Sequence, residues 1–219
     1  MAVTVIGGLG VGGLVAVPAA ASGGTSAAGR PGAVRPPASP TTAPPPPTTP
    51  PPPGRTASPR ARTLAVGQTT LDVEATSAPG HVVALPTVVR YPVLAPGGAG
   101  AAADQASGPY PLLVFSQGFG IPAEAYAGLL RAWASAGYVV ADPIYPATAP
   151  GPGLDEADIV HHPGELGGVI TALLAQGKSP GALQGLVEPS QVAVVGHSDG
   201  GDVSLAVAAD TCCRDPRVK

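Results

Sequence analysis

One serine stands where its neighbours favour nucleophilic chemistry. Ser198 lies in the stretch GHSDG, between Gly196 and Gly200, directly after the apolar run QVAVV. A G-x-S-x-G pattern places a serine on a sharp turn from a strand to a helix, where its hydroxyl can attack a carbonyl carbon. The pattern is informative only in that context, and the alternative is an incidental serine in a glycine-rich turn. Catalysis would further require a base and an orienting acid.

The flanking sequence predicts both elements that such a turn needs. Residues 191–195 are a short apolar run, which indicates a buried strand, and residues 199–210 are predicted to be the helix that follows. Gly196 and Gly200 keep side chains away from the point where the strand and the helix crowd together. The sequence therefore gives Ser198 the context of a nucleophile.

Upstream, short apolar runs alternate with segments of helical periodicity. The predicted strands are residues 62–76, 81–94, 112–116 and 138–142, and the predicted helices fall within residues 122–137 and 155–176. The first two strands are expected to form an antiparallel edge pair, whereas the later runs are continuously apolar, as in a sheet covered on both faces. Strands that alternate with helices predict a mostly parallel α/β sheet.

A second motif follows the earlier buried strand. Gln117, Gly118 and Phe119 come directly after the run LLVFS, where a backbone N–H could stabilise an oxyanion. Together with the serine motif and with Asp142 at a strand end, this motif resembles the α/β-hydrolase fold. More narrowly, residues 61–219 resemble the N-terminal part of secreted bacterial esterases, among them cutinase-like polyester hydrolases, dienelactone-hydrolase-like enzymes and platelet-activating-factor acetylhydrolases.

The resemblance implies catalytic roles for three residues. Ser198 would be the nucleophile, and the backbone N–H groups of Phe119 and Asp199 would form the oxyanion hole. Two positions depart from the family pattern, since Gln117 stands where those esterases usually have His, and Asp199 where many have Met or Gln. A carboxylate after the nucleophile is favourable at a helix N-terminus but opposes a developing oxyanion. We therefore expect the Asp199 side chain to turn away or to slow the enzyme.

No histidine is well placed to be the base. His197 is adjacent to Ser198, and neighbouring side chains at a strand end point apart, so His197 is expected to support the turn. His81 opens an early strand. His161 and His162 are expected to be an exposed pair at a helix entrance.

A rearranged site is a further hypothesis. It would recruit His162 as the base together with an aspartate such as Asp142. Metal binding by His161 and His162 is disfavoured, because immediate neighbours on a helix do not face each other.

Two hypotheses of function follow. In the family, an acid and then a base come after the nucleophile, yet Lys219 ends the chain twenty-one positions after Ser198. The first hypothesis is a truncated serine carboxylic-ester hydrolase that forms an acyl-enzyme on Ser198 and has little activity by itself. The second is a non-catalytic exported surface or binding module with a degenerate hydrolase fold. An unpaired strand edge at VAVV, without charge or proline, favours truncation.

The N-terminal part predicts export. Residues 1–21 contain an uncharged apolar segment that ends in Ala-Ala-Ala, as a signal peptide does, although a positive n-region is missing. A retained membrane anchor is the alternative. Residues 22–60 are rich in proline and poor in large apolar side chains, which predicts a disordered linker before a partial hydrolase domain at 61–219. We expect a secreted or cell-envelope-associated protein.

The charge distribution, the motifs and the cysteines limit which partners and cofactors are expected. Five arginines precede the first acidic residue, Asp72, so the net charge of −3 divides into +5 and −8. The basic arm suggests weak contact with the cell envelope or simply a soluble linker, and the acidic remainder argues against nucleic acid. No phosphate loop, dinucleotide motif or metal cluster is present, so no cofactor is expected. Cys212 and Cys213 would form a geometrically disfavoured vicinal disulfide or pair with cysteines elsewhere.

Overall fold

A mixed sheet with helices on both faces forms the fold. The structure is a computed structural model, and it describes residues 4–6, 63–78, 81–96 and 101–219. The strands are β1 (Thr4–Ile6), β2 (Ala65–Ala78), β3 (His81–Val93), β4 (Tyr110–Ser116), β5 (Val139–Pro143) and β6 (Val187–His197). The helices are α1 (Ala127–Ser135), α2 (His162–Gln176) and α3 (Asp199–Ala209). The strand order across the sheet is β1-β6-β4-β5-β3-β2.

The strand directions confirm the predicted architecture. β2 and β3 pair antiparallel at one edge of the sheet, from Ala65 opposite Val93 onward. β4 pairs parallel with both β5 and β6. Their buried, β-branched runs fit a pleated surface that is covered on both sides. Because β4, β5 and β6 run parallel, their carboxyl ends lie at the same end of the sheet. The serine motif (Gly196 to Gly200) and the oxyanion motif (Gln117 to Phe119) begin there.

The helices cover the two faces unequally. α1 packs Leu130 and Ala134 against Phe115 and Val140 in a small cluster on one face. α2 and α3 pack against the other face in the larger core, to which α2 contributes Leu166, Val169, Ile170 and Leu173. The helical spacing of residues 122–137 predicts that Leu129 and Leu130 share one apolar face. The prediction holds for Leu130, which is fully buried, and was wrong for Leu129, which is 38% exposed.

Residues from both ends of the chain cover the edge of β6. β1 pairs parallel with β6, with Thr4 opposite Val195. Val218 forms a bridge to Val192, and the Lys219 N–H donates to the Val192 carbonyl at 2.9 Å. The expectation of an unpaired edge at VAVV was therefore wrong. The edge of β6 gives no support for truncation.

Most of the predicted leader lies outside the described residues. Of the signal-like segment at 1–21, only Thr4–Ile6 is described, and these residues form a strand of the sheet. The proline-rich linker at 22–60 lies wholly outside. Within residues 4–6, 63–78, 81–96 and 101–219, no helix combines the length and the apolar character that crossing a membrane requires.

The C-terminal tail is tied to α2. Arg217 donates to Asp215, to the Gly167 carbonyl and to Thr171 Oγ1. Cys212 and Cys213 are joined to each other by a disulfide. The vicinal pairing that sequence geometry disfavoured is thus the one the structure contains.

Candidate active site

Ser198 occupies the strained tip of the turn between β6 and α3. Its backbone angles are φ 53° and ψ −125°, and within the described residues it is the only non-glycine residue with positive φ. An L-residue in this region costs of order 1–3 kcal/mol, and such strain clusters at functional sites. The side chain is exposed. The predicted nucleophile elbow is therefore present as a backbone conformation and not only as a sequence pattern.

The two flanking glycines are required by close contacts between backbones. A Cβ on Gly196 would lie 1.9 Å from the Gly200 carbonyl oxygen. A Cβ on Gly200 would lie 2.1 Å from the Ser116 carbonyl oxygen and 2.5 Å from that of Gln117. The first turn of α3 therefore rests directly on the end of β4. The spacing of the motif follows from this crowding.

The oxyanion motif packs against the elbow. A Cβ on Gly118 would lie 2.9 Å from His197 Nδ1 and 3.2 Å from the His197 carbonyl oxygen. In the described part of the chain, the Phe119 N–H donates to no acceptor. The Asp199 N–H is the first of α3, so its own helix offers it no carbonyl. Both predicted donors thus belong to adjoining segments and remain unpaired.

The Asp199 side chain does not turn away from the nucleophile. Ser198 Oγ donates to Asp199 Oδ1 at 3.3 Å. This contact places a carboxylate beside the atom that would attack a substrate. Of the two alternatives drawn from the sequence, the structure shows the one in which Asp199 stays close to the reacting oxygen.

Gln117 joins the oxyanion motif to the buried carboxylate of Asp142. Its Nε2 donates to Asp142 Oδ1 at 2.8 Å, and Arg90 Nη1 lies 3.5 Å from Asp142 Oδ2. Burial raises the pKa of Asp142 to about 6, while the hydrogen bond from Gln117 and the Arg90 charge oppose that rise. Asp142 therefore links Gln117 of the oxyanion motif to Arg90 of β3. Within the described part of the chain, Asp142 forms no hydrogen bond with a histidine.

His162 lies in the core and not at an exposed helix entrance. It is 4% exposed, and its ring stacks on Tyr145 with a centroid distance of 4.0 Å. Nε2 lies 3.4 Å from Asp158 Oδ2 without the geometry of a hydrogen bond. Burial lowers the pKa of His162, against the Asp158 charge. Asp142, the aspartate named as an example for the rearranged site, is not the partner of His162, since the acid beside His162 is Asp158 and Asp142 pairs with Arg90 and Gln117.

The remaining histidines lie at the predicted positions of the chain, although His161 is half-buried and not exposed as expected. His81 begins β3, three strands away from β6 in the sheet. His161 caps the N-terminus of α2 without a side-chain capping bond. His197 Nδ1 lies 3.0 Å from the Tyr126 hydroxyl oxygen, so its ring supports the turn. Among the described residues, no histidine forms a hydrogen bond with Ser198.

Sequence reasoning missed a buried carboxyl group near the site. Glu165 is 3% exposed, and burial followed by the Asp158 charge raises its pKa to about 7. The signal was available, because Glu165 lies one position before the buried Leu166 and three after His162 on the inner face of α2. The sequence alone did not show that both His162 and Glu165 in the first turn of α2 are buried.

Two loops border the serine side of the sheet. The Gly120 N–H donates to the Thr148 carbonyl at 2.9 Å, which joins the oxyanion motif to the loop after β5. Tyr145 of that loop is 1% exposed, and its hydroxyl lies 3.2 Å from Ser116 Oγ. A cavity of about 400 Å³ lies between β2 and α1, beside Leu64 and Arg131.

Known proteins match both the sequence and the fold. The sequence model of the chlorophyllase family matches residues 89–215, which is more than half of the chain. A solved ferulic acid esterase from Streptomyces cinnamoneus is 25% identical with a TM-score of 0.57, over 74% of this chain and 59% of that esterase. No curated protein matches the chain. These findings confirm the resemblance to α/β-hydrolase esterases. The chain belongs to the chlorophyllase family and has an α/β-hydrolase fold.

Proposed function

We propose that the protein is a serine hydrolase of carboxylic esters, with Ser198 as the nucleophile. The observation that carries the proposal is the strained backbone of Ser198 at the tip between β6 and α3. A positive φ in a serine between two tightly packed glycines exposes the hydroxyl above the sheet. Family membership and the similarity to a ferulic acid esterase support an ester as the substrate.

The reaction would pass through an acyl-enzyme. Ser198 Oγ forms a bond to the ester carbonyl carbon as its proton passes to a base, and the carbonyl electron pair moves onto oxygen. The unpaired N–H groups of Phe119 and Asp199 would donate to that oxygen. The alcohol then leaves with the proton, and water attacks the acyl carbon to release the acid and restore Ser198.

We further propose that this chain has little activity by itself. No histidine forms a hydrogen bond with Ser198 among the described residues, and Ser198 Oγ donates to Asp199 instead. The chain spans 59% of the length of the ferulic acid esterase, and in this fold the acid and base follow the nucleophile. Loss of triad members leaves about 10³–10⁴-fold catalysis over water from the oxyanion hole and binding.

Substrate class and location are proposed only broadly. A family called chlorophyllase and a neighbour called ferulic acid esterase point to different esters, so the proposal is limited to carboxylic esters, small or polymeric. The apolar N-terminal segment and the proline-rich stretch support a secreted or cell-envelope-associated protein. The arginines of that stretch would give at most weak contact with anionic envelope polymers.

Hydrolysis of p-nitrophenyl acetate and butyrate by the full chain tests the proposal. We expect slow turnover, well below the roughly 10 s⁻¹ that is typical of enzymes. Ser198→Ala should lower it at least tenfold because it removes the nucleophile. Ser190→Ala is the matched control, since Ser190 is an exposed serine of β6, the strand that leads to Ser198. Equal rates for Ser198→Ala and the unmodified chain would exclude an acyl-enzyme on Ser198.

A non-catalytic surface or binding module is the second candidate. It is favoured by the contact between Ser198 Oγ and Asp199, which occupies the nucleophile with a neighbouring carboxylate. A folded monomer in which Ser198 neither hydrolyses these esters nor reacts with a fluorophosphonate would support this module.

A further inference from the structure

The Tyr126 hydroxyl joins the oxyanion motif to the elbow. It accepts a hydrogen bond from the Gly118 N–H at 3.2 Å and lies 3.0 Å from His197 Nδ1. Neither motif contains Tyr126, which precedes α1 and is 71 positions away from His197. One hydroxyl group thus bridges the segment that carries the Phe119 N–H and the segment that carries Ser198.

The hydrogen-bonding capacity of a phenol sets the direction of this bridge. The oxygen accepts the Gly118 N–H and has a single hydrogen left to donate. Nδ1 accepts that hydrogen when His197 carries its proton on Nε2. Burial raises the pKa of Tyr126, which keeps the hydroxyl protonated. The bridge therefore runs from Gly118 through Tyr126 to His197.

Gly118 is fixed at both of its backbone groups. Its N–H is held by Tyr126, and its carbonyl accepts from the Ile121 N–H at 3.2 Å. The N–H of the next residue belongs to the same planar peptide as the Gly118 carbonyl and points the opposite way. Fixing that carbonyl therefore aims the Phe119 N–H away from Ile121. A glycine adopts many backbone angles, so the second constraint from Tyr126 is needed to hold this aim.

Ring packing keeps Tyr126 in place. Its ring lies 4.7 Å from that of Phe115 and 5.8 Å from that of His197, measured between centroids. Phe115 is fully buried near the end of β4. The hydroxyl is therefore held by its own ring at the junction of β4, α1 and β6.

We infer that Tyr126 is a positioning residue of the oxyanion hole, which aims the Phe119 N–H through Gly118 and is itself oriented by His197. The inference rests on the proposed function, in which Phe119 N–H stabilises the oxyanion. A misplacement of about 1 Å at such a donor costs up to about a hundredfold in rate. The specific contribution of the hydroxyl is accessible to measurement, because phenylalanine retains the ring.

Tyr126→Phe tests the inference, with Tyr91→Phe as the matched control. Tyr91 is a buried tyrosine of β3 whose hydroxyl donates to the Ala101 carbonyl, remote from the elbow. The first readout is the rate constant for fluorophosphonate labelling of Ser198 in the full chain. We expect it to fall about tenfold in Tyr126→Phe and to stay unchanged in Tyr91→Phe. The second readout is amide hydrogen exchange of Gly118, which we expect to accelerate only in Tyr126→Phe.

The outcomes separate this inference from the proposed function. If all three proteins label at the same rate, the positioning role is excluded while the nucleophile stands. If the unmodified chain does not label at all, the proposed function fails, and hydrogen exchange decides the positioning role alone. Unchanged exchange at Gly118 in Tyr126→Phe would then overturn it. Accelerated exchange would support the bridge.

Discussion

Asp199 is the residue whose charge most directly affects the reacting oxygen. Its Oδ1 accepts from Ser198 Oγ at 3.3 Å, while its N–H is one of the proposed oxyanion donors. A negative charge at a helix N-terminus stabilises the helix by about 0.3–1 kcal/mol. The same charge opposes an oxyanion forming nearby. Under the proposed function, one residue would therefore combine a contribution to folding with a cost to catalysis.

Asp199→Asn should make the enzyme faster and slightly less stable. Removing the charge lowers the energy of the oxyanion, so we expect the hydrolysis rate of p-nitrophenyl acetate to rise about tenfold. The melting temperature should fall modestly through the lost helix-dipole interaction. Asp202→Asn is the control, since Asp202 is exposed one turn further along α3. A lower rate in Asp199→Asn would show instead that the carboxylate accepts the serine proton.

Individual residues were predictable where the sequence spacing is local. Ser198 and its glycines form a pattern of five consecutive positions, although the contact that requires Gly200 is made with Ser116 and Gln117 at the end of β4. The Tyr126 bridge was not predictable, because its partners Gly118 and His197 meet it only after β4, α1 and β6 have packed. The prediction that His162 is exposed failed for the same reason, since the loop that carries Tyr145 covers its ring.

At the scale of elements, the contact between α3 and β4 makes the elbow rigid. Gly200→Ala would place a Cβ 2.1 Å from the Ser116 carbonyl oxygen. Neither group is a flexible side-chain end, so the helix must move away from the strand. We expect the free energy of unfolding, measured by urea denaturation, to fall by about 3 kcal/mol or more.

Gly128→Ala is the matched control for this substitution. Gly128 is an exposed glycine of α1, and no atom lies within 4 Å of its added Cβ. Its replacement should raise the free energy of unfolding by about 0.5 kcal/mol through helix propensity. Equal effects of the two substitutions would contradict the packing described for the elbow.

The elements themselves were largely predictable from periodicity. Local patterns predicted the antiparallel pair β2 and β3 and the buried strands β4 and β5. They also predicted a helix within residues 155–176, where α2 lies. The covering of the β6 edge was not predictable, because residues 4–6 pair with residues 195–197, which are about 190 positions away in the sequence. The sequence of a three-residue strand is too short to predict such a distant partner.

At the scale of the whole molecule, Glu165 links stability to pH. Its pKa is about 7 in the folded protein against an ordinary value of 4.5. Between these pH values the folded state binds a proton that the unfolded state has released. The free energy of unfolding should therefore fall as pH rises from about 4.5 to 7.

Glu165→Gln should weaken this dependence. At pH 8 we expect the variant to be more stable than the unmodified chain by about 1–3 kcal/mol, because no charge remains to be buried. At pH 4 both proteins should be nearly equal, since the carboxyl is then protonated in either state. Glu156→Gln, at an exposed acid before α2, serves as the control in thermal unfolding at both pH values. A larger gain at pH 4 than at pH 8 would reverse the assignment.

The central claim is that Ser198 is the nucleophile of an ester hydrolase, and covalent labelling tests it most directly. The full chain would be incubated with a fluorophosphonate, digested and mapped by mass spectrometry. We predict slow addition of one phosphonyl group to the peptide that contains Ser198, abolished in Ser198→Ala and faster in Asp199→Asn. Labelling elsewhere, or none on a chain shown to be folded, would contradict the claim.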